Sequence, residues 1–100
     1  MQRAEIIARL KAAEPKLRAF GVAALYLFGS HARDEAQAGS DVDVFVDPAS
    51  DASFDFLQYM DAYEAIRKSV GEEVAVGYST RDGLSPYIRA SVENEAIRVF

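Results

Sequence analysis

Apolar residues Ile6, Ile7, Leu10, Ala13 and Leu17 recur at spacings of three and four, while Arg3, Arg9, Lys11, Lys16 and Arg18 fall mostly between them. This period predicts an amphipathic helix over residues 2 to 19. Pro15 interrupts it, and a proline inside a helix costs about 3 kcal/mol, so a kink or break is expected near Ala13-Glu14 with a short helical restart at Pro15. Phe20-Gly21 closes this unit. The unbroken apolar run from Val22 to Phe28 then predicts a first strand covered on both faces, hence a central one. Residues 40 to 46 alternate instead. Side chains on a strand point to opposite faces in turn, which places Asp41, Asp43 and Phe45 on one face and Val42, Val44 and Val46 on the other, buried one.

Between these strands, residues 30 to 37 read as a short helix broken by Ala38-Gly39. Asp47-Pro48 ends the second strand, and Ser50, Asp51 or Ser53 can cap a helix over roughly 52 to 69. Its stripe of Phe56, Leu57, Met60, Tyr63, Ile66 and Val70 is expected in the core, with Phe54 and Tyr59 off the stripe and exposed. Gly71 stops that helix. Residues 73 to 79 form a predicted third strand, Arg81-Asp82-Gly83 a turn, Ser85-Pro86 the start of a last helix to about Asn94, and 96 to 100 a short strand or apolar tail. The order α-β-α-β-α-β-α-β predicts an α/β (α+β) fold, a small mixed β-sheet with helices mainly on one face.

The chain has 100 residues, enough for one two-layer core, so residues 1 to 100 are expected to form a single domain. Its net charge is -5 and its eleven basic residues are scattered, which argues against direct nucleic-acid binding through clustered Lys and Arg. The absence of cysteine excludes a disulfide framework, a zinc-thiolate site and a thiol nucleophile. No apolar stretch is long enough to span a membrane and no signal-peptide core is present, so no membrane partner and a cytoplasmic location are expected.

The candidate chemistry lies where the first two strands meet their connection. Two carboxylates on one strand face, Asp41 and Asp43, sit about 7 Å apart at their Cα atoms and can converge on one or two cations. Like charges so close favour a counter-cation or a raised pKa. Mg²⁺ suits the site, since it takes one or two carboxylates and completes its shell with water and substrate phosphates. Gly29-Ser30 at the end of the first strand adds a backbone that can approach a ligand closely, with exposed N–H groups at a helix start and Arg33 to supply phosphate-matching donors. Taken singly, the pieces are also what an acidic edge strand and an ordinary turn would show. Their order and spacing favour a phosphate loop beside a metal site. His31, the only histidine, lies in the same loop.

With GS, ten residues, then DxD between apolar strands, the chain resembles the nucleotidyltransferases of the DNA polymerase β superfamily. In GSHAR and GSDVDVFVD it is similar to their smallest branch, the minimal nucleotidyltransferases (MNT). Gly29, Ser30, Arg33, Ser40, Asp41 and Asp43 match the motif, and the ending LSPYIRASVENEAIRVF is also similar to that branch. The resemblance implies a polymerase β-like fold, ATP as substrate, two Mg²⁺ ions shared by Asp41 and Asp43, and phosphate binding by Gly29, Ser30, Arg33 and Ser40. It further implies a HEPN-domain toxin as partner, neutralised by AMP transfer to a tyrosine or by binding alone, in a homo- or hetero-oligomer of unspecified size.

The resemblance also implies a third carboxylate on the third strand, where this chain has Ala75 and Gly77. Neither can bind a metal. Glu73 is the nearest substitute on the expected strand face, with Glu72 and Asp82 as other candidates. Two functions therefore stand side by side: a Mg²⁺-dependent adenylyltransferase acting as antitoxin, and a catalytically impaired MNT domain that acts by complex formation.

Overall fold

The computed structural model describes all 100 residues. Helix α1 (Arg3–Ala12) and helix α2 (Glu14–Ala19) are separated at Ala13, and Pro15 lies in the first turn of α2, where its missing N–H leaves no intrahelical bond unmade. Strand β1 (Val22–Phe28) runs directly into a single helical turn, α3 (Gly29–Ala32). Strand β2 (Val42–Pro48), helix α4 (Phe56–Val70), strand β3 (Val76–Thr80), helix α5 (Arg89–Glu95) and the two-residue strand β4 (Ile97–Arg98) complete the chain.

The sheet order is β3-β2-β1-β4. Strand β1 is antiparallel to both β2 and β4, and β2 is parallel to β3, so the sheet is mixed with β1 and β2 central. Val42, Val44 and Val46 join Leu25 and Leu27 beneath α1, α2 and α4, where Ile6, Leu10, Leu17, Ile66 and Val70 close the main core. The opposite face is only partly covered. Phe45 packs there against Leu84 and Val92, flanked by Tyr26 and Phe28, while the carboxylate end of β2 stays open. No helix is long and apolar enough to cross a membrane.

Several boundaries differ from the sequence expectation for local reasons. Helix α3 stops after one turn because Asp34 takes a left-handed φ of 60°, which a short polar side chain tolerates, instead of continuing to residue 37. Helix α4 starts at Phe56, capped by Asp55, whose carboxylate accepts from the Gln58 N–H at 2.9 Å, rather than by Ser50, Asp51 or Ser53. Strand β3 begins at Val76, and Glu73 falls in the preceding turn rather than on the strand. The last helix begins at Arg89, since Ser85 caps only a turn through the Tyr87 N–H at 3.3 Å.

The largest correction concerns the stripe on α4. Phe56 and Leu57 are 73% and 70% exposed and Met60 is also exposed, while Ala62, Ala65, Ile66 and Val70 face the interior. Small side chains line the packed side because α4 lies close against α1, where the Ser69 hydroxyl donates to the Arg9 carbonyl. Phe54 and Tyr59, expected outside, are half-buried, with Phe54 against the main core and the Tyr59 ring tilted against Tyr78, their centres 4.7 Å apart.

Candidate active site

Strand pairing brings the two halves of the sequence motif together. Phe28, the last residue of β1, pairs with Asp43 of β2, so the chain leaving β1 at Gly29 lies directly against the Asp43 side chain. Gly29 has a φ of 75°, and a Cβ built on it would collide with Asp43 Oδ2. Glycine is therefore required twice here, by the backbone conformation and by the carboxylate. On the other side Asp43 pairs with Gly77 of β3, and a Cβ at Gly77 would collide with Asp43 Oδ1. Asp43 is thus held between two glycines, one oxygen turned to each.

Asp41 is exposed just before β2, on the same face as Asp43 by strand alternation. Burial, and after it the neighbouring Asp41 charge, push the Asp43 carboxyl above its ordinary value of 3.8, against the smaller lowering by His31 and Arg33. A site that raises its own carboxylate suits a cation, because a cation between the two removes the repulsion. The donor set, two hard oxygen ligands with one side open, fits Mg²⁺ with water and phosphate oxygens in the remaining positions. Extending the β2–β3 register by one pair puts Ala75 beside Asp41, so both places expected for a third carboxylate lie next to the pair and both lack one. Glu73 lies against Gly71, its Oε1 2.6 Å from where a Cβ on Gly71 would be. No three His, Cys, Asp or Glu side chains gather closely enough to cage a metal ion.

The loop residues divide into those at the carboxylates and those that hold the loop. Ser40 belongs to the second set, since its hydroxyl accepts from the Gln37 N–H at 2.9 Å and closes the turn that presents Asp41. His31 is the one buried polar residue, 6% exposed, with Nε2 3.4 Å from the Ser40 carbonyl. Its place is under the loop, lining a cleft of about 600 Å³ between the start of α1, residues 36–40 and residues 73–75. Arg33, exposed, caps α3 and forms ion pairs with Glu35 and Glu95, both at 2.9 Å. Sequence reasoning missed Glu95. Its Oε1 accepts from the Gly29 N–H at 3.2 Å and its Oε2 pairs with Arg33, 62 residues away along the chain, and nothing local in the sequence links them.

Two strands meet at a glycine turn, with paired aspartates facing that turn, the arrangement that the sequence resemblance leads one to expect of a nucleotidyltransferase fold. The nucleotidyltransferase domain pattern matches residues 5–99, and the chain belongs to that family. It is 31% identical over 81 residues to the "Putative protein adenylyltransferase MJ1379" of Methanocaldococcus jannaschii, covering 80% of this chain and 79% of the relative. Among solved structures it is similar to one titled as a "putative minimal nucleotidyltransferase", with a TM-score of 0.79 and 29% identity over 97% of this chain and 95% of the other. A toxin-antitoxin structure with AMP-PNP shares the fold, with a TM-score of 0.66 and 18% identity over 90% of this chain and 72% of the other. So does a mutant of the toxin-antitoxin MntA-HpeT, with a TM-score of 0.61 and 17% identity over 100% and 73%.

Proposed function

We propose that this chain is a minimal nucleotidyltransferase that moves the AMP group of ATP onto a hydroxyl, a tyrosine of a HEPN-domain toxin, and acts as that toxin's antitoxin. One observation carries the reading: Asp43 is fitted between Gly29 of the turn and Gly77 of β3, with Asp41 alongside, so a cation and a triphosphate would meet at one point. Further support comes from the relatives. One is named as a protein adenylyltransferase, one toxin-antitoxin structure was solved with AMP-PNP, and the MntA-HpeT mutant carries two Asp-to-Glu changes two positions apart, the spacing of Asp41 and Asp43.

Asp41 and Asp43 would hold Mg²⁺. When bound, the metal supplies positive charge that lowers the pKa of the acceptor hydroxyl and stabilises departing pyrophosphate. The Gly29 and Ser30 N–H groups and the Ser30 hydroxyl orient the β- and γ-phosphates, and Arg33 adds charge beside them. Ser40 contributes by shaping the loop that carries Asp41. The acceptor oxygen forms a bond to the α-phosphorus while the bond from that phosphorus to the α,β-bridging oxygen breaks, and pyrophosphate leaves with the electron pair. The acceptor's proton passes to solvent, since Ala75 and Gly77 offer no carboxylate on the neighbouring strand to take it.

A specific observation favours a second reading, in which the chain neutralises its partner by binding alone. Ala75 and Gly77 leave the neighbouring strand without a carboxylate, and Glu73 folds back on Gly71. Asparagine at both Asp41 and Asp43 separates the two. If AMP transfer is the mechanism, the double variant loses transfer of label from ATP to the partner by more than a hundredfold while still co-purifying with it, and a host cell loses protection. Full protection by the double variant would leave binding as the mechanism.

A further inference from the structure

Glu95 lies at the end of α5, and its carboxylate spans the two groups assigned above to the triphosphate. It accepts from the Gly29 N–H at 3.2 Å through Oε1 and pairs with the Arg33 guanidinium at 2.9 Å through Oε2. A carboxylate on these donors copies two oxygens of a phosphate. The Gly29 N–H has one hydrogen, so it serves either Glu95 or a phosphate oxygen. Arg33 has further donors, but those it uses are already divided between Glu35 and Glu95.

We infer that Glu95 is a built-in occupant of the phosphate cradle, a plug that an incoming polyphosphate must displace before Asp41 and Asp43 can act on it. This rests on the nucleotide-binding reading of Gly29 and Arg33. Several features make the plug releasable. The Glu95 side chain is one quarter exposed, its helix has only seven residues, and the next residue, Ala96, has left the helix for extended backbone. Asp43 packs against Gly29 and feels the charges of both Asp41 and Glu95, so a polyphosphate seated at Gly29 with Glu95 still in place would meet three carboxylates. Moving Glu95 outward relieves that repulsion and frees the N–H and the guanidinium together. Basal affinity for nucleotide is thereby held down. Anything that shifts α5, a docked partner included, would raise it.

The test uses inorganic triphosphate and ATP, titrated by calorimetry into the wild-type chain, Glu95→Gln and Glu95→Ala. Glutamine keeps the shape and an acceptor for the Gly29 N–H while removing the charge, and its thermal midpoint reports whether the fold is kept. The plug predicts that both variants bind triphosphate at least fivefold more tightly than wild type, and that the Gly29 amide resonance of wild type moves on adding triphosphate. Equal or weaker binding by both variants would overturn it and leave Glu95 as a support for Arg33. Wild-type binding of ATP with no gain in the variants removes the plug and leaves the nucleotide site. Failure of every form to bind either probe removes both.

Discussion

At the scale of single residues, Asp43 decides most of what the site can do, and its titration is the accessible signature. Burial and Asp41 raise its pKa above the ordinary 3.8. A carboxyl raised in the folded state holds its proton to higher pH than in the unfolded chain, so folding is favoured below the raised value and this advantage is lost as pH rises through it. Metal binding has the opposite slope, because Mg²⁺ requires the carboxylate. Apparent Mg²⁺ affinity should therefore fall about tenfold per pH unit once pH drops below the Asp43 pKa, and Asp41→Asn should move that break to lower pH. Titration of metal binding against pH checks both, and a flat profile across the acidic range would contradict them. Without metal, Asp43→Asn should raise stability by about 0.5–2 kcal/mol, as a functional carboxylate kept at a cost to the fold would. This pair and the GS turn were legible in the sequence because their chemistry is local, with one strand carrying both aspartates and one turn following an apolar run. Glu95 was not legible, since its meaning depends on a pairing between residues 29 and 95 that only tertiary structure makes.

At the scale of elements, strands proved easier to place than helix faces. Residues 22 to 28 were expected as a central strand and are β1, because a strand buried on both sides needs apolar residues throughout. On β2 the alternation put Val42, Val44 and Val46 inside and Asp43 outside, though the strand begins two residues later than expected, after Ser40 and Asp41 complete the loop. On α4 the apolar stripe held at Ile66 and Val70 but misled in the first half of the helix. Phe56, Leu57 and Met60 fall at helical spacing and outweigh Ala62 and Ala65 in hydrophobicity, yet the alanines face the core because the neighbouring helix is close. The contrast gives a direct test by chemical denaturation. Leu57→Ser, on an exposed position, should change stability by no more than about 0.5 kcal/mol. Ile66→Ala, at a fully buried position, should cost about 2–5 kcal/mol. Had the sequence stripe been the core, the two losses would be comparable.

At the scale of the whole molecule, Arg81 joins three elements on the half-covered sheet face. Arg81 follows β3, and its guanidinium meets Asp47 at the end of β2 through two bonds, Nε to Oδ1 at 2.9 Å and Nη2 to Oδ2 at 2.8 Å. A third bond reaches Glu93 on α5, and the charged plane lies 5.0 Å and 4.9 Å from the Tyr26 and Phe45 ring centres. Arginine can do all of this at once because its fork is planar and stacks while it pairs, which lysine cannot reproduce. The bond to Glu93 sits two residues from Glu95, so the clip that holds α5 on the sheet also holds the Glu95 carboxylate on Gly29. Arg81→Ala should then act at two distances. Locally it removes hydrogen bonds between charged groups, each worth about 1.5–3 kcal/mol, and some of this is recovered by solvent at a partly exposed site, so a loss of about 2 kcal/mol is expected. At the candidate site it should speed amide exchange at Gly29, since α5 no longer keeps Glu95 in place. Arg81→Lys should lie between, with charge kept and stacking lost. Hydrogen exchange resolved by residue measures both effects in one experiment. Faster exchange in α5 with Gly29 unchanged would mean that the Glu95 contact holds without the clip, whereas faster exchange at both ties the outer layer of the fold to the Gly29 turn.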